Sequence, residues 1–225
     1  MYKRQVYKRS DLQAVSDNEL NKPYDLLKKV SNWRRFYAVI NAASVFMEKA
    51  PRTVELDRSY SEQNLKYDIA QVRALRAFAY FYMVRIWGDV PLVTYSYDNG
   101  TFPSMPRTDA QTVLSYAKAE LLTAIKDLPY QYGTQTNLYY GSYGAQWQGK
   151  LFNKLSAYSV LAHICAWQGN YAEAETYSAF IIDHASEINA KYTSIADLTS
   201  ETGLFYSNTS CLLYTSPSPR DRSLS

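Results

Sequence analysis

The chain has 225 residues, 47 % of them apolar and 20 % charged, which is enough for one sizeable folded domain with a real core. No apolar run approaches the ~20 residues that a membrane-spanning helix needs. A formal charge of +3 and a pI near 8.6 would suggest an acidic partner, but the excess of base sits at the two ends of the chain.

Those ends read unlike the rest. Met1 to Gln5 and Cys211 to Ser225 show neither helical nor strand periodicity. They resemble the conceptual translation of a transposon-based sequencing adapter in opposite orientations. Residues 1–5 and 211–225 are therefore set apart as adapter-derived, and residues 6–210 are read as a piece of a longer domain. The ends carry Lys3, Arg4, Arg220 and Arg222 against one acid, Asp221. Without them the 24 basic and 21 acidic side chains fall to 20 of each, and the charge argument for nucleic acid or a membrane surface disappears. Cys165 is then the single cysteine, so neither an internal disulfide nor a cysteine zinc site is expected.

Residues 6–30 are polar and weakly periodic, with Pro23 limiting any helix. From Ser31 a helical stripe of Trp33, Tyr37, Ile40, Ser44 and Met47 is expected to end at Pro51. The strongest helix is predicted from Glu62 to Trp87. Its packed stripe reads Leu65, Ile69, Val72, Leu75, Ala79, Tyr82 and Ile86, with Lys66, Arg73 and Arg76 off it in water or paired. Gly88 suits a left-handed stop, and Asp89-Val90-Pro91 an extended exit. A loop follows over 94–107. Thr108 and Gln111 have capping-box spacing for the next helix, which carries Leu114, Ala117, Leu121, Ile125 and Leu128 and stops at Pro129. After a second loop over 130–149, a helix over about 150–168 bears Leu151, Leu155, Tyr158, Ala162 and Cys165. Gly169-Asn170 breaks it, and a helix over about 171–185 carries Tyr171, Ala174, Tyr177 or Ser178, and Ile181. Residues 190–210 receive no assignment. No period-two segment of useful length occurs, so the fold class is all-α. The last two helices, joined by two residues, form an antiparallel pair, and Gln168 to Glu175 resembles a tetratricopeptide turn.

Three ordered segments carry a further resemblance. The first is Arg73-Ala74-Leu75-Arg76-Ala77-Phe78-Ala79-Tyr80-Phe81 with Trp87-Gly88-Asp89-Val90-Pro91-Leu92-Val93. The second is the upstream helix bearing Trp33, Tyr37, Ile40 and Asn41. The third is Pro106-Arg107-Thr108, Asp127-Leu128-Pro129 and the helix pair from Lys150 to Ile182. Together they resemble the SusD/RagB family over most of residues 31–185. The chain departs from that pattern at Gln71-Val72, where the family usually has an acidic residue and alanine. The resemblance implies tetratricopeptide-like helix pairs in a superhelical array with long aromatic loops. It also implies a lipid-anchored protein on the cell-surface side of a Bacteroidetes-type outer membrane. Such a protein would bind glycan, or peptide in some branches, without cleaving it, and would cap a SusC-like TonB-dependent transporter. Family members are longer, and on this reading the signal peptide, lipobox and C-terminal ligand surface lie outside the sequence. No cofactor and no nucleic-acid partner are expected.

The residues offer their own candidates. Tyrosine is over-represented, with 22 copies against 8 Phe and 4 Trp, and it buries a ring while keeping a hydroxyl. In the first loop Tyr95, Tyr97, Asp98 and Asn99 alternate rings with hydrogen-bonding groups, which matches the apolar face and polar edge of a sugar. In the second, Tyr139, Tyr140 and Tyr143 are the candidates. They stand among Tyr130, Tyr132 and Trp147, with Trp147 expected to pack near the next helix. The alternative is a solvated turn or simple substitution of Tyr for Phe in a core.

Other chemistry is poorly supported. Gly144 to Lys150 spells G-x-x-x-x-G-K, but Leu151 replaces the magnesium-holding hydroxyl and no buried strand precedes it. His163 reads as a core histidine near buried Cys165, and two residues apart on a helix do not face each other. No catalytic nucleophile with a base and no metal site are found. A helical glycosidase would need two carboxylates across one cleft, and only Asp89 with Asp98 would qualify. A protein-binding helical adaptor would explain the Gly169–Glu175 turn but not the aromatic loops.

Overall fold

The computed structural model describes residues 10–17, 19, 22–97, 103–132, 150–188 and 190. Every regular element among them is helical, and the one extended pairing is an isolated antiparallel bridge between Val90 and Thr108. Seven α-helices follow in order: α1 Ser10–Ser16, α2 Asp25–Val30, α3 Arg34–Leu56, α4 Glu62–Trp87, α5 Ala110–Asp127, α6 Lys154–Trp167 and α7 Tyr171–Asp183. Residues 1–184 form one unit. In the second, the described residues form a 3-10 turn, Ala185–Ile188, followed by Ala190, whose N–H donates to the Ala185 carbonyl.

The helices from α3 to α7 pack successively, each on the next in the chain. Short connectors, as between α6 and α7, turn the chain straight back. Gly169 adopts φ 79°, a conformation that costs glycine little. Asn170 then caps α7 by accepting from the Glu173 N–H. Glu173 in turn holds Lys118 of α5 at 2.5 Å, so the tetratricopeptide-like turn is tied to the preceding helix.

The core gathers Ile40 of α3, Ala74, Ala77, Tyr80 and Met83 of α4, and Val113, Leu114, Ala117 and Leu121 of α5. Leu161 and Ile164 of α6 complete it. Each fully buried large side chain contributes about 1.5–3 kcal/mol. The expected α5 face is correct, since Leu114, Ala117, Leu121, Ile125 and Leu128 are all buried.

The packed face of α4 is not the expected one. Leu75, Tyr82 and Ile86 are exposed, Leu65, Ile69 and Val72 half-buried, and only Ala79 of that stripe is buried. The buried face runs through Ala70, Ala74, Ala77, Tyr80, Phe81 and Val84. Apolar residues surround this helix, so periodicity alone does not select a side. Alanines admit a neighbouring backbone more closely than leucines, and packing takes the alanine side. Arg76, expected beside the packed stripe with its head in water or paired, takes the second course: it is 5 % exposed and paired with Glu120 of α5.

Four local expectations also change. Pro51 lies inside α3, which continues to Leu56. The ring is exposed there, and Asp57 N–H still donates to the Thr53 carbonyl beyond it. Asp109, not Thr108, caps α5 by accepting from the Thr112 N–H at 3.0 Å, because Thr108 N–H is engaged with Val90 in the bridge. His163 is exposed rather than in the core, beside the Phe81 ring. Tyr171 at the start of α7 is exposed. By contrast the stop at Gly88 holds: φ is 69°, and α4 ends there.

Candidate functional site

The first loop leaves α4 at Gly88 and is held by side chains in place of a sheet. Tyr80, fully buried, turns its hydroxyl to Val93, accepting from its N–H and donating to its carbonyl, both at 2.8 Å. Tyr37 of α3 donates to the Pro91 carbonyl at 2.7 Å. Asn41 of α3 accepts from the Tyr97 N–H at 2.7 Å and donates to the Tyr97 carbonyl at 3.2 Å. Glu48, two turns further along, accepts from the Ser96 N–H at 2.8 Å and from its hydroxyl. Buried backbone groups outside regular structure demand such partners.

At the end of this braced segment Tyr95 and Tyr97 lie together, ring centroids 4.9 Å apart and tilted by 47°. Tyr95 is 51 % exposed and Tyr97 half-buried. The Tyr97 hydroxyl donates to that of Tyr95 at 2.5 Å, with the Met105 sulfur 3.7 Å away on the other side. That hydrogen bond first, and burial second, pushes the Tyr97 phenol up to about 12. The result is a fixed pair of rings with a polar rim, facing solvent on one side. Asp98 and Asn99 lie outside the described residues. Beyond Met105, Arg107 sits over the Trp33 ring at 5.0 Å, and Trp33 packs at 6.1 Å from Trp87.

The described start of the second loop is a packing device. Tyr132 is buried and donates to the Phe152 carbonyl at 2.8 Å, while Gln71 of α4 bonds the Tyr132 hydroxyl and both main-chain groups of Phe152. Tyr130 stacks on His184 and lies beneath the Lys154 ammonium. Tyr139, Tyr140, Tyr143 and Trp147 lie outside the described residues, as does Gly144 of the G-x-x-x-x-G-K run.

With this geometry in view, the comparisons with known proteins are informative. No family model matches the chain. A SusD-like protein, P38, of Formosa agariphila is 31 % identical over 147 residues, covering 64 % of this chain and 24 % of the relative. A SusD superfamily structure from Bacteroides vulgatus superposes with a TM-score of 0.63 at 18 % identity, over 89 % of this chain and 38 % of that one. A structure described as a laminarin binding SusD-like protein gives a TM-score of 0.52 at 27 % identity, over 64 % and 28 % of the two chains. The chain is therefore similar to part of the SusD-like proteins in sequence and in fold. It spans about a quarter of the length of the curated relatives it matches.

Two of the three resembling segments meet at one place: the Trp33–Asn41 helix and the segment formed by the arginine-rich part of α4 with the run from Trp87 to Val93 converge on the base of the Tyr95–Tyr97 loop. Where the family pattern has an acidic residue, Gln71 takes a different task and bonds Phe152 and Tyr132. Sequence reasoning did not find the supports Asn41, Glu48, Tyr80 and Arg76. A polar stripe at 37, 41, 44 and 48 on an otherwise apolar helix was the available signal.

Asp89, the described half of the only carboxylate pair considered, accepts from the Ala110 N–H at 3.0 Å and so serves the α5 N-terminus. Cys165 is buried, and burial raises its thiol pKa, the opposite of nucleophile activation. Among the described residues no cluster of three His, Cys, Asp or Glu could hold a metal ion, and no helix is long and apolar enough to cross a membrane.

Proposed function

We propose that the whole protein is a non-catalytic glycan-binding protein of the outer-membrane surface. It captures oligosaccharide and passes it to a SusC-like TonB-dependent transporter, held in place by a lipid anchor. The observation that carries the binding step is the Tyr95–Tyr97 pair, two rings with hydroxyl edges on a loop fixed from two helices. Aromatic faces take the C–H face of a pyranose while hydroxyl and amide groups take its edge. The laminarin description of one SusD-like structure supports this chemistry. Asp98 and Asn99 complete the first-loop site on this reading, and Tyr139, Tyr140 and Tyr143 supply a second contact surface. The structural role of Asp89 supports a binder over a hydrolase.

The test is calorimetry of the intact protein against a panel of laminarin, xyloglucan and starch oligosaccharides. Binding is expected for at least one, with Tyr95→Ala and Tyr97→Ala each weakening it about tenfold or more, as loss of a stacking ring does. Unchanged affinity in both variants would remove the site from the first loop. Cleavage of any panel member by purified protein would replace a binder with an enzyme. Co-purification of the intact protein with a TonB-dependent transporter tests the delivery step.

A further inference from the structure

The segment from Pro91 to Tyr97 belongs to no helix and no strand, yet its main-chain groups are bonded one after another. Its partner is a line of side chains on one edge of α3. Tyr37, Asn41, Ser44 and Glu48 fall at intervals of four, three and four, which a helix aligns along one edge. Tyr37 meets the Pro91 carbonyl, Asn41 both main-chain groups of Tyr97, and Glu48 the Ser96 N–H. Ser44 acts through Arg76, whose guanidinium donates to Ser44 Oγ at 2.9 Å and to the Thr94 carbonyl at 3.4 Å. From α4, Tyr80 adds the two bonds to Val93.

We infer that this polar line on α3 is the positioning device of the ligand platform, and that Asn41 is its decisive member. Asn41 does at Tyr97 what a neighbouring strand would do, accepting from the N–H and donating to the carbonyl of one residue. It thereby fixes the backbone at the residue whose ring forms half of the platform and whose hydroxyl aligns the other half. The other contacts hold the approach to the platform, and Asn41 holds the platform itself. A loop fixed before binding loses less freedom on binding, so the device acts on affinity without touching ligand. The inference rests on the glycan-binding reading, and it specifies which residue outside the ligand surface sets that affinity.

The test uses the intact protein and two readouts. Hydrogen exchange of the Tyr97 amide reports the device without ligand, and calorimetry with the laminarin and xyloglucan oligosaccharides reports its effect. Asn41→Ala is expected to lose protection at the Tyr97 amide, keep its helical circular dichroism, and bind about tenfold or more weakly. Asn41→Asp keeps the acceptor for the Tyr97 N–H, so it should retain protection there and bind with intermediate affinity. If Asn41→Ala does not fold, Asn41→Asp alone decides by the same two readouts. A Tyr97 amide still protected in Asn41→Ala would overturn the inference. So would exchange-competent Tyr97 with wild-type affinity. If wild type binds no oligosaccharide, or Tyr97→Ala binds like wild type, the glycan reading falls. The exchange result at Tyr97 then still accepts or rejects the positioning device by itself.

Discussion

Glu120 is the side chain whose loss should be most costly to this fold. It accepts from Arg76 Nε at 3.1 Å and from Nη2, and from Arg73 Nη1 at 2.8 Å. Arg76 is 5 % exposed and Glu120 8 %, so neither charge can return to water without opening the α4–α5 contact. Glu120→Ala leaves the Arg76 guanidinium buried with only Ser44 and the Thr94 carbonyl. Removing one partner of such a pair costs about 3–5 kcal/mol, against about 5–15 kcal/mol for the whole stability of a domain. Arg73 adds little to this, because its side chain is 32 % exposed and can solvate itself. The assay is urea unfolding followed by circular dichroism for wild type, Glu120→Ala and the double variant Arg76→Met/Glu120→Leu. The double variant removes both charges and should recover most of the loss. A cost below about 1 kcal/mol in Glu120→Ala, the size of an exposed pair, would refute the reasoning. So would a double variant as unstable as the single one.

Three further outcomes are expected. Leu75→Ala, at a 42 % exposed position, should change stability by about 1 kcal/mol or less, while Met83→Ala, at a fully buried one, should cost about 2–5 kcal/mol; the reverse order in urea unfolding would restore the leucine face as the packed one. Gly88→Ala should cost about 1–3 kcal/mol by thermal unfolding from backbone strain alone, since φ is 69° and a Cβ there meets nothing within 4 Å. Burial raises the phenols of Tyr37 and Tyr80, and the Tyr95 contact raises that of Tyr97, all above the ordinary value of 10.0. Raised groups stabilise the fold fully below the unfolded value, so stability should fall as pH rises through and beyond about 10, the unfolded chain shedding these protons first. Tyrosinate absorbance should then rise together with loss of helicity; complete tyrosine titration in a chain that stays helical would contradict it.

How legible this was in the sequence depended on the kind of signal. The helices from α3 to α7 were readable, α4 to the residue, because Gly88 and the proline after it have fixed backbone meanings, whereas α1 and α2 received no assignment. The α5 face was readable because its apolar stripe has one polar side opposite. The face of α4 was not, because leucine, tyrosine and alanine occupy nearly every direction and only the shape of its neighbours chooses among them. For Arg76 a pair was one of two readings, but its partner could not be named: Glu120 stands 44 residues away, and no local rule links them. Pro51 was overestimated because packing carried α3 past it. At the candidate site Tyr95 and Tyr97 were proposed from their alternation with polar residues, and the structure brings these two rings together, whereas the supporting contacts of Asn41 and Glu48 were not foreseen. The polar stripe at 37, 41, 44 and 48 is readable as a line on a helix, but nothing local says that its partner is a main chain some 50 residues away.

The single proton between the two platform hydroxyls gives the pair a polarity. The two hydroxyls lie 2.5 Å apart, so one of their two hydrogens is spent between them and the other turns away from the pair. A molecule meeting this edge would find one hydrogen turned outward and not two, and would be favoured by bringing a lone pair to it. Two tyrosines side by side would otherwise recognise either sense of hydrogen bond, and this arrangement makes the surface choose between guests that stack equally well.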